Sequence, residues 1–98
     1  MLDQLSFDYF KKFENDLFLI HFEAEKALEA KLIRLEKLNG DSDLDRSPFS
    51  ITFETSQKNQ YYTQAIYKIT HSDLEDLHLF IVPSGKSKHG ILYEVIFS

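Results

Sequence analysis

The chain has no cysteine and no tryptophan, only three glycines and two prolines, and no long apolar run among its 98 residues. Without cysteine it can form neither disulfides nor thiol-based sites, although this absence does not fix the compartment. The first twelve residues contain Asp3 and Asp8 and fit neither a signal peptide nor a membrane span. We therefore expect a cytoplasmic protein by default, with association with a surface or phage-like assembly left open.

Basic residues are also in short supply: eleven, against sixteen acidic residues, which gives a formal charge of −5. Such a charge repels nucleic acid backbones and anionic lipid headgroups. Hydrophobic residues make up 43% of the chain, including nine phenylalanines and five tyrosines, so there is enough apolar material for one core. We expect a single domain over residues 1–98 that binds no nucleic acid and contains no membrane span.

The N-terminal segment predicts a short helix within residues 2–13. Ser6 is a good N-cap, Asp8 follows in the first turn, and lysines stand toward the end. Phe10 and Phe13 would share the buried face of this helix.

Period-two alternation begins at Phe49, just after Pro48, and predicts a strand with one buried face. β-Branched and aromatic residues predict three more strands, at Ala65 to His71, Leu77 to Pro83, and Ile91 to Ser98. The connectors at residues 72–76 and 84–90 are short enough for antiparallel neighbours, so these three strands should form a meander. The polar segments at residues 41–47 and 55–60 should be loops.

The stretch from Phe22 to Leu38 is ambiguous. Its alanines and leucines, interleaved with Glu and Lys, favour a helix by propensity and spacing. In the alternative strand interpretation, Leu28, Ala30 and Leu32 alternate with charged residues, and a bulge near Ile33 returns Leu35 to the inner face. From the residues alone, the helix is favoured.

Five segments together resemble a bacterial family catalogued as domain of unknown function 6916. They are residues 1–10 (MLDQLSFDYF), 46–53 (RSPFSITF), 66–71 (IYKITH), 77–83 (LHLFIVP) and 92–97 (LYEVIF). The resemblance extends over nearly the whole chain. Its motifs consist of core aromatics, a proline and strand residues, so they identify a fold and imply no catalytic residue.

The resemblance implies that residues 17–38 form a hairpin of two strands with a turn near Glu25 and Lys26, against the helical interpretation. The family commonly has a glycine where this chain has Asn15, and another in the turn at residues 74–76. The fold expected is mainly β: a short N-terminal helix packed on a curved antiparallel sheet of about six strands, closed into a small barrel or sandwich. Family members are often encoded near proteins that resemble phage-tail collar or tail-fibre proteins, which suggests accessory work on a fibre.

Three patterns resemble ligand sites, and each departs from the established motif. Asp41, Asp43 and Asp45 have the spacing of a calcium loop, but neither the required glycine nor the twelfth-position glutamate follows. The run from Gly85 to Ser87 resembles the end of a phosphate-binding loop, but its first glycine is missing and a strand follows. We interpret the former as a solvated acidic loop and the latter as a hairpin tip.

His71 and His78 flank a turn rich in carboxylates, and a hairpin could bring both imidazoles to a zinc ion. Their spacing matches no established site, so we expect histidines at strand ends and no bound metal or cofactor. No Gly-x-Ser-x-Gly, cysteine nucleophile or His-Glu-x-x-His motif is present. We therefore predict a protein that is not an enzyme.

The predicted interaction surface consists of Tyr61, Tyr62, Lys86, Lys88 and His89. Tyrosine supplies a large contact area at low entropic cost, although strand alternation would bury one tyrosine of the pair. The sequence thus predicts a noncatalytic interaction or assembly module accessory to a phage-tail-like or surface fibre protein, with a tail-collar or fibre-like protein as partner. The alternative is a β-barrel that binds a small ligand or carbohydrate. Oligomeric state is not indicated.

Overall fold

The computed structural model describes residues 5–38 and 48–97. Its elements are α1 (Phe7–Lys11), β1 (Leu17–Glu23), β2 (Lys26–Lys37), β3 (Phe49–Glu54), β4 (Ala65–His71), β5 (Leu74–Lys86) and β6 (Ile91–Phe97). The strands pair antiparallel in the order β1-β2-β3-β6-β5-β4, and β4 pairs with β1 to close a barrel. The predictions of a mainly β fold, a short N-terminal helix and about six antiparallel strands are confirmed, and the closed barrel is the correct alternative.

The two longest strands each belong to two parts of the barrel. Residues 26–31 of β2 pair with β1, whereas residues 31–37 pair with β3. Likewise, residues 74–81 of β5 pair with β4 and residues 82–86 with β6. We call β1, β4 and the first halves of β2 and β5 sheet 1, and β3, β6 and the second halves sheet 2. Both long strands carry a register shift where they change partner, as bulged strands do at barrel corners.

Residues 17–38 form the hairpin that the family resemblance implied, and the helical interpretation of Phe22 to Leu38 is wrong. The turn lies at residues 24–25, because Glu23 faces Lys26 across the ladder. Leu28, Ala30 and Leu32 point inward, and Ile33 is the extra residue of a bulge between Leu32 and Arg34. Burial against the barrel core outweighs helix propensity here, since propensity differences are a few tenths of a kcal/mol per residue.

Side chains from all six strands fill the barrel interior. The buried set is Phe18, Ile20, Phe22, Ala30, Leu32, Phe49, Ile51, Phe53, Ile69, Leu79, Ile81, Ile91, Tyr93 and Val95. A six-stranded barrel is narrow enough for inward side chains to meet across it. Each large apolar side chain buried in this way contributes about 1.5–3 kcal/mol.

The helix covers one end of the barrel. Ser6 caps it as predicted, since its Oγ accepts a hydrogen bond from the Tyr9 N–H at 3.1 Å. Phe10 is fully buried, with its ring centroid 5.3 Å from that of Phe97 and 6.2 Å from that of Phe49. The helix is shorter than the segment over which it was predicted, and Phe13 lies in the following turn, where it still packs half-buried against the core.

Asn15 adopts a left-handed backbone conformation with φ of 74°. Glycine adopts this conformation most readily, and asparagine is among the few other residues that tolerate it. The Asn15 N–H donates to the Leu32 carbonyl at 2.7 Å, and the Leu32 N–H donates to the Asp16 carbonyl at 3.0 Å. The turn thus covers the edge of β2 where β2 changes partner.

β5 is longer than predicted at both ends. The turn from β4 consists of Ser72 and Asp73 alone, so the strand begins at Leu74 rather than Leu77. At the other end it continues past Pro83 to Lys86. The register shift between Pro83 and Gly85 places an extra residue there, and Gly85 has a φ of 148° that suits glycine. The meander of β4, β5 and β6 is otherwise confirmed.

Candidate functional site

The β5–β6 hairpin presents a short cationic tip that is fixed by one serine. The Ser87 N–H donates to the Gly90 carbonyl at 2.8 Å, which leaves Lys88 and His89 at the tip. The Ser87 hydroxyl donates to Glu54 Oε2 at 2.6 Å and accepts the N–H groups of His89 and Gly90 at 3.1 and 3.2 Å. The tip is therefore held in one conformation by its own hydrogen bonds and by β3.

The segment that follows β3 runs beside this hairpin. The Thr55 N–H and hydroxyl both donate to the Ile91 carbonyl at 3.0 Å, and the Ile91 N–H donates to the Gln57 carbonyl at 3.0 Å. Gly90 makes this approach possible, because a Cβ there would lie 2.0 Å from the Thr55 carbonyl oxygen. Lys58 Nζ then donates to the His89 carbonyl at 2.9 Å. Residues 55–58 thus lie against the hairpin tip.

An aromatic cluster anchors the far end of this segment. The Tyr62 ring stacks on Phe22 with centroids 4.5 Å apart and planes 5° apart, and the Phe22 ring also contacts Tyr67 and Tyr93. The Tyr62 N–H donates to the Tyr93 hydroxyl at 3.0 Å, and the Tyr62 hydroxyl donates to the Glu23 carboxylate. That hydrogen bond to Glu23 raises the pKa of Tyr62, while burial raises the pKa of Tyr93. Both phenols are held in their neutral form.

The five residues of the predicted surface do not share one environment. Tyr61 is 62% exposed, and Lys86, Lys88 and His89 are exposed at or beside the hairpin tip. Tyr62 is half-buried in the aromatic cluster, as alternation predicted for one tyrosine of the pair. The contact between Lys58 and His89 brings the tyrosine segment to the tip. Their role as an interaction surface stays a prediction.

His71 and His78, the hypothetical metal pair, are separated along the barrel. His71 faces Leu74 across the β4–β5 ladder, and His78 is four residues further along β5, or roughly 13 Å at about 3.3 Å per residue. His71 lies between the rings of Phe13 and Phe18, with centroids 5.1 and 4.7 Å away. Within residues 5–38 and 48–97, no three His, Cys, Asp or Glu side chains are grouped to hold a metal ion. The calcium-like residues Asp41, Asp43 and Asp45 lie outside the described residues.

The structure adds residues that the sequence did not single out. The β5–β6 hairpin tip is held by hydrogen bonds and contacts of Ser87, Gln57 and Lys58. In the sequence, the one signal of so close an approach between two backbones is Gly90, a glycine directly before a strand. An open groove of about 450 Å³ also lies on sheet 1, lined by Leu17, Phe18, Leu19, Glu29, Thr70, His71 and Ser72. Its leucines alternate with the buried residues of β1.

Comparison with known proteins identifies one family. The model of that family, described as "Domain of unknown function (DUF6916)", matches residues 5–97. No curated protein and no solved structure matches the chain. No helix in the described part of the chain is long and apolar enough to cross a membrane.

Proposed function

Since the chain belongs to the DUF6916 family, we propose that it is a noncatalytic interaction or assembly module accessory to a phage-tail-like or surface fibre protein. The observation that carries this proposal is the ordered surface around the β5–β6 tip. Lys86 and Lys88 of the hairpin are exposed, and Tyr61 is exposed three residues after Lys58, which contacts the tip. The class of partner comes from the family resemblance alone, which implies that such domains are encoded near tail-collar-like and fibre-like proteins.

Preorganisation makes this surface suitable for recognition. Ser87, Glu54 and Lys58 fix the hairpin tip and its neighbour before any partner arrives. A surface ordered in advance loses little entropy on binding, which favours affinity. Tyr61 offers an aromatic contact, and the lysines favour a partner surface that carries carboxylates.

The direct test is co-purification of the chain with the product of the adjacent fibre gene. We expect a complex that survives size-exclusion chromatography at micromolar concentration and that is weakened by the double variant Tyr61→Ala, Lys88→Glu. Ile96→Ser is the matched control, because Ile96 is 59% exposed on β6, outside the tip. Clean separation of the two proteins, together with normal fibre assembly in a deletion strain, would contradict the proposal.

A small-ligand or carbohydrate-binding barrel is the second candidate. The groove on sheet 1 favours it, because Glu29, Thr70 and Ser72 place polar groups among leucines, as ligand sites do. The interior is filled by side chains, so a ligand would have to bind outside the barrel. A thermal-shift screen against sugars, nucleotides and metal ions tests this candidate, since a ligand at one hundred times its Kd adds about 2.7 kcal/mol of stability. The absence of any shift would reject it.

A further inference from the structure

The connection between β3 and β4 crosses one end of the barrel. In the closed strand order, these strands have β6 and β5 between them on one side and β2 and β1 on the other, so they lie on opposite sides of the barrel. Because neighbouring strands alternate in direction, β3 ends and β4 begins at the same end, opposite to the helix. Residues 55–64, which join the two strands, therefore span this end, which we call the mouth of the barrel.

Tyr62 reaches from this connection into the mouth. Its ring lies flat on Phe22, with centroids 4.5 Å apart, and its hydroxyl donates to the carboxylate of Glu23, the last residue of β1. Its N–H donates at 3.0 Å to the hydroxyl of Tyr93, which is buried in the barrel interior. Tyr67 packs edge-on against the same Phe22 ring. We call Phe22, Glu23, Tyr67 and Tyr93 the tyrosine seat.

The chain around Tyr62 has few other contacts. Residues 55–58 are fixed by hydrogen bonds to the start of β6 and to the hairpin tip. Residues 59–64 then have no regular secondary structure, and every side chain except that of Tyr62 is exposed. The Tyr67 hydroxyl donates to the Thr63 carbonyl, but that contact is exposed as well. Segments with so little burial open at a lower free energy than the core, so Tyr62 is the main attachment of residues 59–64.

We propose that residues 59–64 form a lid, and that the tyrosine seat is a binding site for a tyrosine residue of another polypeptide, filled in the structure by the chain's own Tyr62. The contacts of Tyr62 define this ligand. Phe22 provides a face for stacking, and Glu23 accepts a hydrogen bond from a phenol hydroxyl, which phenylalanine lacks. The Tyr93 hydroxyl accepts the backbone N–H of the same residue, so the seat recognises a ring together with its peptide group.

The lid and an incoming tyrosine compete for one place. When residues 59–64 lift, Tyr62 leaves the seat, and the partner's tyrosine makes the same stacking contact and hydrogen bonds. The apparent affinity of the chain is therefore lowered by the fraction of molecules whose lid is open. The site differs from the proposed fibre contact, because neither Tyr61 nor the tip lysines belong to the seat, so the two proposals can fail separately.

A variant with a vacated seat tests the binding site. N-acetyltyrosinamide carries both the ring hydroxyl and the peptide N–H, and N-acetylphenylalaninamide is the matched probe without the hydroxyl. We expect the tyrosine probe at millimolar concentration to raise the Tm of Tyr62→Ala, and to bind this variant about fivefold or more tightly than the phenylalanine probe does. Adding Glu23→Ala should remove the difference between the probes. Tyr61→Ala is the matched control, because Tyr61 is 62% exposed and its loss leaves the seat filled, so neither probe should raise the Tm of this variant.

Amide hydrogen exchange tests the lid in the unaltered chain. The Tyr62 amide should exchange by local opening, faster than the Ile91 amide, which is bonded outside the lid. Tyr62→Phe loses the hydrogen bond to Glu23 and should speed exchange at residue 62 about threefold or more, whereas Tyr61→Phe should not change it. Tyr62→Leu, which still covers the stacking face, replaces Tyr62→Ala in the binding test if the latter does not fold.

Several outcomes would overturn the inference. They are an unchanged Tm of the vacated variant with either probe, equal affinity of that variant for the two probes, and equal stabilisation of Tyr62→Ala and Tyr61→Ala. Exchange of the Tyr62 amide only through global unfolding would remove the lid. Loss of the fibre complex, while the tyrosine probe still binds Tyr62→Ala, would reject the proposed partner and leave the seat in place.

Discussion

The buried hydroxyl of Tyr93 joins the barrel to the segment that carries Tyr61: it donates to Gln57 Oε1 at 2.6 Å and accepts the Tyr62 N–H at 3.0 Å. We expect Tyr93→Phe to lower the free energy of unfolding by about 1–3 kcal/mol, because both partner groups lose their hydrogen bond in a partly buried place. Urea unfolding measures this. Tyr67→Phe is the control, since its hydroxyl bonds to the Thr63 carbonyl at an exposed position, and an equal loss in both variants would contradict the prediction.

Gly90 is required for space, whereas Gly85 is required for its backbone angle. A Cβ at Gly90 would lie 2.0 Å from the Thr55 oxygen and 2.8 Å from the Gln57 oxygen, while a Cβ at Gly85 meets nothing within 4 Å. We expect Gly90→Ala to cost more stability than Gly85→Ala, which should cost about 1–3 kcal/mol through its positive φ alone. Thermal unfolding of the two variants compares them. The reverse order would show that the segment after β3 shifts easily.

Phe10 attaches the helix to the end of the barrel. Its ring is fully buried against Phe49 and Phe97, so Phe10→Ala should lower the free energy of unfolding by about 3–5 kcal/mol. Phe80→Ala removes a ring of the same kind that is 51% exposed, and we expect a change several times smaller. Denaturant unfolding followed by far-ultraviolet circular dichroism measures both. Equal effects would indicate that the helix adds little to the barrel.

Alkaline pH should destabilise the fold through Tyr62 and Tyr93. The pKa of each phenol is raised in the folded chain, by the hydrogen bond to Glu23 and by burial respectively. In the unfolded chain these tyrosines lose their protons near pH 10. The contribution of these two tyrosines to the free energy of unfolding is therefore complete below about pH 10, and it is lost as the pH rises through their pKa values in the folded chain.

Two measurements check that stability falls at alkaline pH: titration of phenolate absorbance in the folded protein, and unfolding curves recorded at increasing pH. Glu23→Gln should lower the pKa of Tyr62, because the carboxylate is the largest cause of its shift. The prediction is wrong if all tyrosines of the folded protein ionise at or below about pH 10.

The strands were predictable from the sequence where a single rule governs them. Residues 49–54 alternate cleanly in sequence, residues 65–71 are rich in β-branched and aromatic residues, and the bounds of both strands agree closely with the structure. The hairpin of β1 and β2 could not be obtained from the residues alone, since Ala, Leu, Glu and Lys favour a helix in isolation. Burial of these residues against the rest of the barrel outweighs their helix preference. Only the family resemblance indicated the hairpin.

The candidate site was partly predictable for a similar reason. Exposed lysines beside a turn glycine indicate a hairpin tip, and paired tyrosines indicate one buried and one exposed ring. The contact between Lys58 and His89 joins residues 31 apart, and no local pattern encodes it. The pairing of the exposed Ile66 and Phe80 across the β4–β5 ladder is likewise not encoded by a local pattern in either strand.

The seam between β1 and β4 closes the barrel through three residue pairs, Leu19 with Thr70, Ile20 with Ile69 and His21 with Lys68. The hydrogen bond between His21 and Thr70 across it spans 49 residues of chain, whereas the β1–β2 and β4–β5 hairpins each join close neighbours. Loop-closure entropy makes a distant pairing slow to form compared with local ones. We therefore expect the two hairpins to form before the seam, and closure of the seam to set the folding rate.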